Sequence, residues 1–322
     1  MKIAIADSNS RKFTDDIIKH WEQKGHEVKY EYGASGPLAQ WADIYFVDTL
    51  DNNIAYLYKI YHGDPDNQRY EGWDNDKKPL MVCRALDWEL WTQAIHRDQD
   101  IIGWVDKWIC IAPHIEKKLR AEANFSPPSK LRLIRPGVNL EKFTLKTTKT
   151  DGFQLGMVLG DMWWIKNHMA GLDIFTTLHE RDPRWRLHIR GQQPTDLADY
   201  WRPMTEHYLE SRGIKDVVTI YEHVDDMNQW LEQIDVLLHP SLKETFCYAA
   251  AEAAAKGIPV VLNEFYGSRD IWAEEFLYQI HLEAVDMLQD SIGYTDNYYR
   301  KYIEDNYSLD KMLKELDEYI GC

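Results

Sequence analysis

Two carboxylates eight residues apart, Glu244 and Glu252, lie in the stretch HPSLKETFCYAAAEAAAKGIPVVLN from His239 to Asn263. An apolar strand, IDVLLH, ends there and a short loop, PSLKE, follows. An alanine-rich helix is then expected from Thr245 to Gly257, ahead of Pro259 and the strand PVVLN. A strand-loop-helix turn at the carboxyl edge of a parallel sheet aims the first free N–H groups of the helix outward, where they hold a phosphate. On a helix turning ~100° per residue, the two glutamates stand ~80° apart. A carboxylate beside those N–H groups pairs with sugar hydroxyls, while the second reaches another part of the same ligand. The plainer alternative makes Glu244 a complement to the helix dipole and Glu252 an ordinary helix position.

The elements that must position these groups alternate from the start of the chain. KIAIAD, HEVKYEY, DIYFVD, PLMVCRAL and KWICIA read as strands separated by amphipathic stretches such as RKFTDDIIKHWEQKG. The rhythm restarts at FQLGMVLG and runs through RWRLHIRG, VVTIYEHV, IDVLLHPS and GIPVVLN. Two successive parallel α/β sheets are the simplest architecture. With 322 residues, two domains are expected. The polar, aperiodic stretch TLKTTKTDG places the boundary at 147/148, giving domains 1–147 and 148–322, the second ending in helices.

Composition narrows the function classes. The chain is 44% hydrophobic and 28% charged, as a folded globular protein is. Its net charge of -16 comes entirely from the acidic excess after residue 150, which argues against broad nucleic-acid binding. No run approaches the ~20 apolar residues of a membrane span, and MKIAIADSNS turns polar too soon for a signal peptide, so a cytoplasmic address is expected. Cys83, Cys110, Cys247 and Cys322 have no CxxC spacing and read as reduced thiols, buried for the most part. Asp64-Pro65-Asp66 and Asp74-Asn75-Asp76 fit a metal-holding Asp-x-Asp pattern but lie in a turn-rich polar segment, and we assign them no metal. No GxGxxG, P-loop or HExxH spacing occurs. Trp163 and Trp164 read as core and rim, with stacking on a base or sugar as the alternative.

The segment PSLKETFCYAAAEAAAKGIPVV resembles the retaining GT-B glycosyltransferases of glycosyltransferase family 4. It has their proline-serine pair, a Glu, seven intervening residues, a second Glu, a small-residue helix and a Gly-x-Pro-Val-Val strand. GHEV at 25–28, WADIYFVD at 41–48, RPGVNLEKF at 135–143 and IKNH at 165–168 extend the resemblance over most of the chain. It implies a GT-B fold: two Rossmann-like domains whose parallel sheets face a central cleft, the first for the acceptor and the second for a nucleotide-sugar donor. It implies an enzyme that moves a hexosyl or pentosyl group from a nucleotide-diphosphate sugar with retention of configuration, without a cofactor or metal. Carried over by position, Glu252 would bind the ribose and Glu244 the donor sugar. Thr245, Phe246, Cys247 and Tyr248 would lie near sugar and phosphate, and Lys166 would meet the diphosphate, so that Lys166 and Glu244 form the catalytic pair.

The departures are specific. The family usually has an arginine where this chain has Asp161, so either another cation, such as Arg190 or Arg269, supplies the charge at the diphosphate, or catalysis is weak, or the pocket is reorganised. The glycine-rich first loop is replaced by DSNSRKF, and where a histidine is expected after the fourth strand the chain offers Arg84 and Asp87, candidate sugar or acceptor contacts. Lys117, Lys118, Arg120, Lys130, Arg132 and Arg135 form either a solvated helix face or a site for an anionic acceptor. The acceptor is left open among a glycan, a lipid phosphate and hydroxymethylated DNA. A nucleotide-sugar binding protein with weak or no transfer, and a sugar-nucleotide hydrolase or epimerase, remain alternatives on the same fold.

Overall fold

Apolar runs rich in β-branched residues become strands wherever both faces can be buried, and here they build two separate sheets. The computed structural model describes residues 1–7, 11, 14–49, 52–62, 77–86, 90, 95–160, 164–191, 198–221, 224, 226–292 and 297–322. The first sheet is formed by β1 (Lys2–Asp7), β2 (Glu27–Tyr32), β3 (Ile44–Asp48), β4 (Leu80–Ala85), β5 (Lys107–Cys110) and β6 (Leu131–Leu133). Its order is β2-β1-β3-β4-β5-β6, with every pair parallel. The second comprises β7 (Gln154–Gly160), β8 (Arg186–Gly191), β9 (Val218–Tyr221), β10 (Val236–His239), β11 (Val260–Asn263) and β12 (Leu277–Tyr278). Its order is β12-β11-β10-β7-β8-β9, again parallel throughout. Helices between the strands cover sheets whose core strands are buried residue after residue, as in KIAIAD and IYFVD.

In each sheet the strand order reverses once, between β1 and β3 and between β7 and β10. Ligands of open α/β sheets bind outside the carboxyl ends of the strands at such a reversal. The reversal of the second sheet therefore selects the loops after Gly160 and after His239.

The chain divides into one unit of residues 1–137 plus 309–322 and another of residues 138–308. This differs from the expected division at 147/148 in two ways. The helix Leu309–Ile320 belongs to the first unit, where Met312, Leu313, Leu316 and Ile320 join Ile3, Ile17, Trp21 and Phe46 in one core. Asp317 fixes it, accepting from Trp21 Nε1 at 3.0 Å and lying 2.7 Å from His20 Nε2 and 3.0 Å from Lys24 Nζ. The polar stretch TLKTTKTDG is fastened to the second unit, because Lys146 Nζ reaches Asp235 at 2.9 Å and the Thr148 amide donates to Glu232 at 2.9 Å. Its polarity reflects these bonds.

Gly137 shows why a glycine stands in RPGVNLEKF. A Cβ there would come within 2.6 Å of Leu309 Cα, so only glycine lets the chain pass the returning helix. The next residue, Val138, already belongs to the second unit and donates its amide to the Tyr307 carbonyl at 2.8 Å.

Candidate active site at the strand reversal of the second sheet

Two helices begin at this reversal. The helix His168–Arg181 follows β7 and the helix Tyr248–Ala255 follows β10, and no side chain caps the N-terminus of either. Each leaves its first backbone N–H groups as donors. Both are preceded by a residue in the left-handed region, Asn167 at φ 50° and Cys247 at φ 70°. Gly171 sets the depth of the first helix, because a Cβ there would clash with Met157 of β7 and meet Pro240 Cγ at 3.1 Å.

The left-handed turn at Cys247 starts the second helix three residues later than expected from the sequence. Glu244 is therefore a loop residue, and the ~80° relation to Glu252 does not apply, since it assumed one continuous helix. Glu252 lies within the helix and is only 5% exposed, between Ala251 and Ala253 in a run of six buried residues. The far end of the helix is anchored: Arg300 donates to the Ala255 carbonyl at 2.7 Å, and the buried Lys256 reaches Asn228 at 2.7 Å and Glu232 at 2.5 Å.

Glu244 is the hub. Its Oε1 accepts from Lys166 Nζ at 2.5 Å and lies 2.8 Å from His239 Nε2. The loops carrying Lys166 and Glu244 are tied by the Leu242 amide, which donates to the Ile165 carbonyl at 2.8 Å. The Lys166 stem runs beside Gly160 at the end of β7. Burial alone would raise the Glu244 carboxyl, but His239 and Lys166 bring it down to about 2. Burial alone would lower the His239 imidazole, but Cys247 and Glu244 raise it to about 9, so the ring is a cation at neutral pH.

The other residues expected at the donor site are placed as follows. Phe246 is buried against Trp272, Tyr248 and Tyr307, and its carbonyl accepts from Trp272 Nε1 at 3.2 Å. Its side chain and its carbonyl are thereby committed to packing. Thr245 and Tyr248 are half-buried and Cys247 is buried. Arg190 is the penultimate residue of β8, beside β7, and its Nε is buried without a hydrogen-bond partner among the described residues. Ser241 Oγ, in the loop after β10, is in the same condition. Trp164, two residues before Lys166, is 65% exposed, so this tryptophan is not core.

Arg269 is placed differently. It donates to Glu264 at 2.8 Å and to Glu274 at 2.9 Å on the surface, which occupies its guanidinium. Arg84 lies at the carboxyl end of β4 in the first unit, 6% exposed and bound bidentately to Asp48 at 2.5 and 2.8 Å. Asp87, Asp161, Trp163 and the two Asp-x-Asp segments lie outside the described residues. Among the described residues, no group of three or more His, Cys, Asp or Glu side chains is arranged to hold a metal, and no helix is long and apolar enough to cross a membrane. The basic cluster of the first unit is largely paired internally, Lys118 with Glu122 at 2.5 Å, Arg120 with Glu116 at 2.8 Å and Lys130 with the Gly103 carbonyl at 2.8 Å.

His239 is the member of this cluster that sequence reasoning did not select. Its only signal in the sequence is its place five residues before Glu244 across a Pro-Ser turn.

Comparison with known proteins places this geometry. Residues 154–288 match the family model described as glycosyl transferases group 1. The D-inositol 3-phosphate glycosyltransferase of Streptomyces bingchenggensis is 27% identical over 187 residues, 53% of this chain and 40% of that protein. The GDP-mannose:cellobiosyl-diphosphopolyprenol alpha-mannosyltransferase of Xanthomonas campestris is 28% identical over 42% of this chain and 35% of its own length. The chain thus spans well under half the length of these curated relatives. Among solved structures, Anabaena HepE in complex with UDP superposes with a TM-score of 0.74 at 13% identity, covering 100% of both chains. Sucrose-phosphate synthase from Thermosynechococcus elongatus gives 0.73 at 13% identity, covering 99% of this chain and 98% of that one. Residues 154–288 are accordingly similar to the glycosyl transferases group 1 family, on a chain with the GT-B fold.

Proposed function

We propose that the protein is a glycosyltransferase that moves a sugar from a nucleoside-diphosphate donor to an acceptor hydroxyl with retention of anomeric configuration. The observation that carries this reading is the shared oxygen of Glu244, with Lys166 and His239 on it, at a strand reversal flanked by two uncapped helix N-termini. Cations and helix N-termini neutralise charge on departing phosphates. In the reaction the bond from the anomeric carbon to the phosphate oxygen breaks, the acceptor oxygen bonds the same face, and the acceptor proton leaves with the diphosphate.

In this reading Lys166 and Arg190 supply cations to the diphosphate, Glu244 takes donor-sugar hydroxyls and Glu252 the ribose. Arg190 is favoured over Arg269 as the second cation, because Arg269 is held by two surface glutamates. The nucleotide sugar as partner is supported by the UDP and UDP-glucose complexes of HepE. The first unit is assigned to the acceptor. No metal or other cofactor enters the step.

A thermal-shift screen with UDP, GDP, ADP and their sugars tests the donor site, followed by transfer assays in EDTA. Stabilisation by one nucleotide series and turnover in EDTA are expected. Binding without turnover against any acceptor would reduce the protein to a nucleotide-sugar binder. Activity lost in EDTA and restored by manganese would overturn the metal-free mechanism.

A further inference from the structure

We propose that His239 is the standing counter-cation of Glu244, holding that carboxylate when Lys166 leaves it for the donor diphosphate. This rests on the donor reading above. Both cations meet the same oxygen, at 2.5 and 2.8 Å, but they are not equivalent. His239 is the last residue of β10 with its side chain 3% exposed, so its ring is fixed by the strand. Lys166 ends the short 3₁₀ turn Trp164–Lys166 after β7, 24% exposed, on a flexible four-carbon stem. Only Lys166 has the reach and the freedom to exchange partners.

That exchange needs a second cation. Glu244 is 13% exposed, and removing the sole partner of a carboxylate so placed would strand its charge, a costly state. With His239 in place the carboxylate keeps a partner, and the lysine goes to the phosphates. The charged and titratable groups facing His239 are Glu244 from its own loop, Cys247 from the start of the following helix and Lys166 from the loop after β7 through the shared carboxylate. Its register partner on β11, Leu262, is apolar. The imidazole stays protonated up to about pH 9, so the counter-cation is present at neutral pH.

Calorimetric titration with UDP, GDP and ADP as probes tests this in the wild type, His239→Asn, Glu244→Gln and the double variant. His239→Asn should weaken nucleoside-diphosphate binding on the order of tenfold, the worth of a lost charge-assisted contact. Glu244→Gln needs no counter-cation and should bind these sugar-free probes at least as tightly as the wild type. In that background His239→Asn should cost nothing further. Wild-type affinity should also fall as pH rises through about 9, a step absent from both single variants. A merely structural histidine would give the same loss in either background and no such step, and that result overturns the proposal. Should His239→Asn fail to fold, the pH profiles of the wild type and Glu244→Gln decide alone, identical profiles overturning it. A wild type that binds none of the probes overturns the donor reading itself, before any substitution is made.

Discussion

The two sheets share parallel build and a single strand reversal, yet they place opposite charge at the same topological position. In the first, the ends of β1, β3 and β4 bring Asp7, Asp48 and Arg84 side by side in register, two carboxylates to one guanidinium, all under 10% exposed. In the second, one carboxylate, Glu244, is met by Lys166 and His239, with Arg190 on the neighbouring strand. The first reversal is a closed polar seam whose guanidinium is bound to Asp48. The second keeps cations on a loop and at a strand end, together with helix N–H groups. One fold thus yields an edge whose carboxylates enclose a guanidinium and an edge whose cations share a carboxylate, and charge placement separates them.

Arg84→Ala should break the first edge most severely, because it leaves Asp48 buried without its bidentate partner. A loss of about 3–5 kcal/mol in urea unfolding is expected, and a loss below about 1 kcal/mol would mean that the seam carries little of the fold. Lys166→Ala should do the reverse. His239 still holds Glu244, so the melting temperature should stay close to that of the wild type, while donor binding weakens by about 1.5–3 kcal/mol. Equal donor affinity in Lys166→Ala would move the phosphate contact elsewhere.

Gly137→Ala should cost about 1–3 kcal/mol, because its Cβ meets the backbone of Leu309 rather than a flexible side chain. Hydrogen exchange should show the loss first in the helix Leu309–Ile320. The pH dependence separates the edges further. The Glu244 carboxyl is lowered from 4.5 to about 2, so its stabilising contribution is complete above its unfolded value and fades as pH falls towards 2. Glu244→Gln should flatten that acid limb, and an unchanged limb would assign it to other carboxylates. The smallest effect is expected from Cys247→Gly. Relief of the left-handed backbone, about 1 kcal/mol, is offset by the ~0.5–1 kcal/mol entropy cost of glycine, leaving stability within about 1 kcal/mol of the wild type.

The alternation of strands and helices was legible because strands buried on both faces are written as unbroken apolar runs. Lys166 and Glu244 were legible through the motif and its strand-loop-helix turn. Their mutual bond was not, since the two residues are 78 positions apart and nothing local encodes the approach of their loops. His239 escaped for a related reason: its bond to Glu244 depends on how the Pro240-Ser241 turn folds back. The delayed helix start at Cys247 was hidden because a cysteine carries no sign of a left-handed conformation. The division of the chain was misplaced because a polar stretch looks the same whether it is a linker or is fastened by Asp235 and Glu232.

The return of the helix Leu309–Ile320 to the first unit makes that unit discontinuous in the chain, so its core is complete only once residues 309–320 have been made. Residues 138–308 are contiguous and can fold as soon as they emerge, whereas the first sheet waits, with the face around Ile3, Trp21 and Phe46 uncovered, for Met312, Leu313, Leu316 and Ile320. A chain interrupted before residue 309 would present that greasy face to chaperones and proteases, so the fold carries its own check that translation has passed residues 138–308.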